Sequence, residues 1–327
     1  MGNFDAAKNY IYKAKIAFLL VCLFVLYEIF PKDFSSFPPL IIMLEEKTDY
    51  LINPSETICG KNKGKDFLIV SFIPSGINYF ERRQNVRNTW ANQTYEQHKL
   101  IKTIFLVGLS LNESINHQLK KESETYKDIL QINFTDSYKI LINKTINGIK
   151  WMLAYCGNAK FIMKVDDDIV VNTKSLVEYF LALNSTSSRN KIYGKCMHNF
   201  TLPIRDINDK HFISTEDYSP AIWPNYCLGP AYILASDTLK PIYNLSKYIR
   251  QFPMEDTYVG LLAKELKIDL IDVKNWLIEN YPPIWIDSEL NEIANITDKY
   301  FLFISIVDPK YFYLNWNIIF SKYFTNN

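Results

Sequence analysis

The chain has 327 residues, 48% hydrophobic and 15% aromatic, enough to bury a large core and to exclude an extended disordered tail. Its 36 Lys and Arg nearly balance 35 Asp and Glu, so net charge gives no reason to expect nucleic acid or another polyanion as the main ligand.

The first element is the apolar run IAFLLVCLFVLYEIF, residues 16–30, preceded by Lys8, Lys13 and Lys15. By the positive-inside rule its N-terminal side faces the cytoplasm. The run is short against the roughly 20 residues of a bilayer span, and Glu28 blunts its end. Pro31, Lys32 and Asp33 follow in place of a small-x-small cleavage site. We therefore read a cytoplasmic tail (1–15) and an uncleaved signal-anchor helix (16–31), with a cleaved signal or a buried core helix as the alternatives. Eight Asn-x-Ser/Thr sequons, at Asn92, Asn112, Asn133, Asn143, Asn184, Asn199, Asn244 and Asn295, agree with a lumenal domain. So does an even downstream set of cysteines, Cys59, Cys156, Cys196 and Cys227, which allows two disulfides in any of three connectivities or four free thiols.

Residues 32–65 carry Pro31's successors Pro38, Pro39 and Pro54 with little periodicity, and are expected to form a stem. A regular pattern begins at residue 66. DFLIVSFIP predicts a strand, ERRQNVRNTWANQ a helix and LIKTIFLVG a second strand. A helix over SINHQLKKESETYK, a strand over ILQINF, a long helix over YKILINKTINGIKWMLAYC and the strand KFIMKV follow. Alternating strands and helices predict an α/β domain over 66–327 with a mostly parallel sheet covered on both faces.

Ligands of open α/β sheets bind at the carboxyl ends of the strands, where Asp166, Asp167 and Asp168 stand. Three adjacent carboxylates repel unless a cation is present, and hard ions such as Mg²⁺ or Mn²⁺ take carboxylate and phosphate oxygens together. The competing reading is a solvated acidic turn capping the helix TKSLVEYFLALN. No EF-hand spacing or Gly-rich phosphate loop surrounds the triplet.

MKVDDDIVVN resembles the DxD segment of the β-1,3-galactosyltransferase-like family of Golgi type II membrane enzymes, and four further blocks match in order. RRQNVRNTW is similar to R-x-x-I-R-x-T-W and is followed by FLVG; YKDILQINFTDSYKILINKT matches with Asn133 in place of an Asp. WPNYCLGPAYILASD and MEDTYVG complete the set, the former with Trp223 for Tyr and Ala231 for Gly. The resemblance covers about residues 66–310 and implies a GT-A fold, a UDP-sugar donor, Mn²⁺ or Mg²⁺ as cofactor and a glycan acceptor on a glycoprotein or glycolipid.

By resemblance Asp168, and with it Asp166, would hold the metal, while Asp166 and Asp167 would face the donor. Asp256 is the implied base for the acceptor hydroxyl, with Glu255 second; both also fit as first-turn acids favoured by the dipole of helix TYVGLLAKEL. Arg82, Arg83 and Arg87 lie at helical spacing, where guanidinium groups would meet a diphosphate or merely form a solvated face. Lys144 is carried over as a substrate contact. Gly229 suits close approach of backbone to donor or acceptor, or a turn before Pro230. Trp90 fits a core position. Related enzymes often carry a late His that completes the metal's coordination; here Ser305 stands nearest, in FISIVDPKYFYLNW, with Asp308 as another candidate. The expected function is an inverting hexosyltransferase making a β-1,3 linkage. An inactive relative acting as a lumenal binding or folding partner, and a metal-dependent lumenal phosphohydrolase, are the alternatives.

Overall fold

The computed structural model describes residues 50–92, 99–136, 141–184, 188–198, 200–281, 302–306 and 309–317. The apolar run 16–30, the expected stem up to residue 49, the sequons at Asn199 and Asn295, and Asp308 lie outside them. Among the described residues no helix is long and apolar enough to cross a membrane.

Eleven strands occur among the described residues: β1 Tyr50–Ile52, β2 Ile69–Pro74, β3 Ile101–Leu109, β4 Ile129–Thr135, β5 Phe161–Val165, β6 Ile169–Val171, β7 Lys191–Met197, β8 Tyr226–Ala235, β9 Asp269–Asp272, β10 Leu277–Tyr281 and β11 Phe303–Ile306. Eight form the central sheet in the order β1-β4-β3-β2-β5-β8-β7-β9. The run β4-β3-β2-β5 is parallel, as expected. The sheet as a whole is mixed: β8 is antiparallel to both β5 and β7, and β1 is antiparallel to β4. A parallel neighbour needs a crossover, usually a helix, and no helix is described between β7 and β8, so β8 turns back. A second sheet of β10, β11 and β6 begins directly after the acidic triplet.

Strand β2 is buried throughout, and its alternating side chains feed two cores. Val70 and Phe72 join the cluster under helices Leu141–Tyr155 and Glu255–Glu265, whereas Ile69 and Ile73 join the cluster on the other face. Helix Leu141–Tyr155 buries Ile142, Ile146, Ile149 and Met152, a 3.6-residue stripe, together with Trp151. Helix Glu255–Glu265 packs very close to the start of β8: a Cβ on Gly260 would lie 2.5 Å from Asn225 O and from Tyr226 Cβ. This explains the glycine of MEDTYVG, because any side chain there would push the helix, and the acids at its start, off the sheet.

The folded domain begins upstream of residue 66. Strand β1 pairs with β4, Ile58 and Cys59 are buried, and Cys59 is disulfide-bonded to Cys156 at the end of the long helix. The second pair is Cys196–Cys227, joining facing residues of β7 and β8.

Helix Phe80–Asn88 is pinned by ions rather than by an apolar stripe. The guanidinium of Arg83 is fully buried and spends all its donors internally: Nε and Nη2 on Glu122 at 2.9 and 2.8 Å, the others on Ser75 Oγ, Gly76 O and Ile77 O. Arg87 forks onto Asp128 at 2.8 Å through two nitrogens and reaches Glu122 at 2.7 Å. Burial raises the Glu122 pKa, but Arg83 and Arg87 outweigh it and leave the group below its ordinary value. Arginine stays charged at any ordinary pH, so Glu122→Gln would strand a buried cation. We expect a loss of about 3–5 kcal/mol in urea denaturation; a loss under about 1 kcal/mol, the surface-pair range, would show that Arg83 does not depend on this partner.

Candidate active site

The parallel strands β2 and β5 end side by side, and a cleft of about 420 Å³ opens there, within the usual size range of ligand pockets. Its walls come from the loop Ser75–Tyr79 after β2, from Arg82, Asp136 and Lys144, and from Asp166, Asp167 and Asp168.

The three acids have different surroundings. Asp167 is buried and accepts from Ser75 Oγ at 2.7 Å and from Arg82 Nη1 at 2.9 Å, so it braces the loop more than it faces solvent. Asp168 accepts from the same Arg82 nitrogen at 3.2 Å and is the most open of the three. Burial and the neighbouring Asp167 raise its pKa against the pull of Arg82. Asp166 accepts from Lys164 Nζ at 2.6 Å; burial pushes its pKa up to about 7 although Lys164 opposes the shift. The helix that follows, Thr173–Ala182, is capped by Asn172, whose Oδ1 accepts from Ser175 N at 3.2 Å. The triplet is therefore not that helix's cap, and its charges meet Arg82, Ser75 and Lys164 instead.

Of the three arginines grouped by helical spacing, only Arg82 lines the cleft. Arg83 and Arg87 are turned into the ion cluster described above, and no donor of Arg83 is left over. Lys144 does reach the cleft wall, donating to Ser75 O at 2.8 Å and pairing with Asp136 Oδ1 at 2.6 Å. Burial lowers its pKa, with Asp136 offsetting part of the effect. Trp90 is fully buried, its indole N–H donating to Ile169 O at 2.9 Å.

The second acidic pair opens helix Glu255–Glu265. Asp256 Oδ2 accepts from Gly229 N at 3.0 Å and Oδ1 from Thr257 N at 2.8 Å. Burial, then Glu255, raise its pKa to about 6 against those two amides. Glu255 is more deeply enclosed: Oε2 accepts from Tyr232 O–H at 3.1 Å, and Oε1 is ion-paired with Lys164 Nζ at 3.0 Å without an aligned hydrogen bond. Gly229 lies within β8 and is not a turn residue. A Cβ on it would meet Glu255 Oε1 at 3.3 Å and Asp256 Oδ2 at 3.4 Å, so the missing side chain leaves room for both carboxylates.

Sequence reasoning missed Lys164, Tyr232, Ser75 and Asp136. Lys164 carried a usable signal: a lysine inside an apolar strand expected to be buried on both faces must find buried anions.

Among the described residues no three acidic, histidine or cysteine side chains converge as a ready-made metal cage. A Mg²⁺-like ion shared with a diphosphate does not need one, since it is held by one or two carboxylates, phosphate oxygens and waters. Asp168, open to the cleft and with its pKa raised by burial and by Asp167 despite the pull of Arg82, fits that role, with Asp166 beside it. Ser305 faces Ile169 across the β11–β6 ladder, and Ile306 N donates to Asp168 O at 2.9 Å, so the late tail does pass the triplet.

The sequence model of the galactosyltransferase family matches residues 81–274. Mouse β-1,3-galactosyltransferase 1 is 34% identical over 220 residues, 67% of this chain and 66% of that relative, just under two thirds of its length. Human lactosylceramide 1,3-N-acetyl-β-D-glucosaminyltransferase is 30% identical over 271 residues, 80% of this chain and 70% of that relative. Among solved structures, the galactosyltransferase LgtC with donor and acceptor sugar analogues is 12% identical at TM-score 0.37, covering 74% of this chain and 87% of that one. That likeness is too low to bear on the site, and the assignment rests on the family match: this chain belongs to the galactosyltransferase family.

Proposed function

We propose that the chain is an inverting hexosyltransferase of GT-A type that moves a sugar from a UDP-sugar to a glycan acceptor in β-1,3 linkage. Galactose is the first choice of donor sugar and an N-acetylhexosamine the second. The mouse relative named for galactosyl transfer and the human relative named for N-acetylglucosaminyl transfer support that pair. The acceptor would be carried on a glycoprotein or glycolipid. The apolar run at 16–30 and the two disulfides support a type II Golgi membrane protein with its catalytic domain in the lumen.

The observation that carries this reading is the placing of Asp256. Its carboxylate is fixed by two backbone amides and tied to Asp166 through Gly229 and Lys164, and each oxygen keeps a lone pair for a further proton. A carboxylate near pKa 6 is suited to accept a proton at neutral pH. In the proposed step the acceptor hydroxyl oxygen attacks the anomeric carbon on the face opposite the diphosphate. The anomeric C–O bond to the diphosphate breaks, its electron pair leaves with UDP, and the hydroxyl proton passes to Asp256. Attack from the opposite face inverts the anomeric centre. Arg82 and Lys144 present fixed positive charge at the wall of the cleft where the diphosphate would lie. A divalent cation held by Asp168 and Asp166 would supply further neutralisation of the diphosphate. Glu255, with both oxygens engaged, is the weaker candidate for the base.

Two measurements test the division of labour. Asp256→Asn should lower transfer at least about 100-fold while UDP affinity in Mn²⁺, read by calorimetry, stays nearly unchanged. Asp168→Asn should lower both, with UDP affinity falling at least about tenfold, toward the value in EDTA. Equal loss of UDP affinity in the two variants would refute these roles, and absence of metal-dependent UDP binding in the unaltered protein would favour an inactive relative.

The second test is pH. Asp256 must be ionised to act, so kcat/KM should climb as pH rises through about 6 and level off above it. The same raised pKa makes the folded state favour the protonated group. Its stabilising contribution is complete below the unfolded value and is lost as pH rises through about 6. Asn has a single acceptor oxygen for the two amides, so the linkage is read from the pH dependence: the Tm of the unaltered protein relative to Asp256→Asn should fall as pH rises from about 5 to about 7.5, and a gap that does not change with pH would contradict the assignment.

A further inference from the structure

We infer that Lys164 is a positioning residue that fixes the distance between the donor-side and acceptor-side carboxylates. The inference rests on the proposed transferase reading for its catalytic consequence, but its structural content stands on geometry alone.

Lys164 is the penultimate residue of β5, and the pleat puts it on the same face as Ile162, under helix Glu255–Glu265. Its side chain is fully buried. Three oxygens surround the ammonium: Asp166 Oδ1 at 2.6 Å, Glu255 Oε1 at 3.0 Å and the carbonyl of Gly229 at short hydrogen-bonding distance. The ammonium donates to Asp166 and to the Gly229 carbonyl and is ion-paired with Glu255, so its close contacts all lie within the protein. Lys164 therefore acts through the groups it holds.

Each of the three oxygens leads to a different part of the site. Asp166 belongs to the triplet at the donor cleft, and its backbone N–H also donates to Pro230 O at 3.0 Å. Gly229 hands the constraint on: its carbonyl is held by Lys164, and its N–H holds Asp256 Oδ2. Glu255 is the residue before Asp256, and Tyr232, one face-repeat along β8 from Pro230, fixes its other oxygen. Strand β5, strand β8 and the start of helix Glu255–Glu265 thus share one cation. Were the ammonium removed, Gly229 and the first turn of the helix would keep their secondary structure but lose the reference that sets Asp256 against Asp166.

A role in stability alone makes a different forecast, because apolar replacement of a buried charge cluster is often neutral or stabilising. The double variant Lys164→Met/Glu255→Gln removes one charge of each sign and keeps the volume. Expected results are a folded protein by circular dichroism, UDP affinity in Mn²⁺ within about threefold, and kcat per folded molecule down at least about 100-fold with the donor KM little changed. Amide hydrogen exchange supplies a readout that needs no turnover: Gly229 N–H should exchange at least about tenfold faster, as its bond to Asp256 opens. Unchanged exchange at Gly229 would overturn the inference. If the exchange rises while the unaltered protein transfers no sugar, the transferase reading fails and the positioning role stands. Should the double variant not fold, Lys164→Gln, which keeps a donor but shortens its reach, is read by the same exchange measurement, with the same result expected and the same result overturning.

Discussion

One buried ammonium ties the two halves of the site together. Lys164 lies where β5 ends, and the acids it meets come from the adjoining turn and from a helix about 90 residues later in the chain. Burying a lone cation would cost several kcal/mol, and burying Glu255 alone would cost a similar amount. Lys164 also has Asp166, but Glu255 has no other cation beside it among the ion pairs described, and so the helix start can take only a narrow range of positions over the sheet. The tight contact of Gly260 with the beginning of β8 imposes the same limit from the opposite direction, by van der Waals exclusion rather than by charge.

The donor side is organised by the same rule with different residues. Arg83, buried and held by Glu122, anchors the loop Ser75–Tyr79 from below through Gly76 O and Ile77 O. From above, Ser75 and Arg82 bind Asp167. A cleft wall that would otherwise be a mobile loop is thereby held by charge-assisted bonds at both ends, which are stronger than bonds between neutral groups. Such a wall can present Arg82 and Lys144 toward a diphosphate without first being ordered by it, the condition for electrostatic preorganisation.

Much of this was legible from residues 66 to 280 as a string. The parallel strands follow from continuous apolar runs between helical patterns, and the triplet's place at a strand end follows from where KFIMKV stops. Trp90 was expected in the core and is there. The arginines were less readable. A spacing of one and four residues puts Arg82, Arg83 and Arg87 on one stretch of helix, but not on one face, and two of them turn toward Glu122 and Asp128, acids some 35 to 41 positions further along. Nothing local marks those acids as partners. The expected boundary at residue 66 failed for a related reason: Tyr50–Ile52 is too short to announce a strand, and it becomes one only because β4 offers an open edge.

The sequence by itself determined the alternation of strands and helices, the acid-rich strand end, the pair of acids at a helix start and the family blocks that link them, because each is a matter of side-chain type and local period. The tertiary structure decided which charges meet. It chose one of three possible cysteine pairings, turned β8 against β5, left Arg82 alone of its group at the cleft, and set Lys164 between Asp166 and Glu255. The cysteine pairing and the direction of β8 depend on which segments the fold brings side by side, and the placing of Arg82 and Lys164 depends on desolvation, which acts on a charge only once the fold has closed around it.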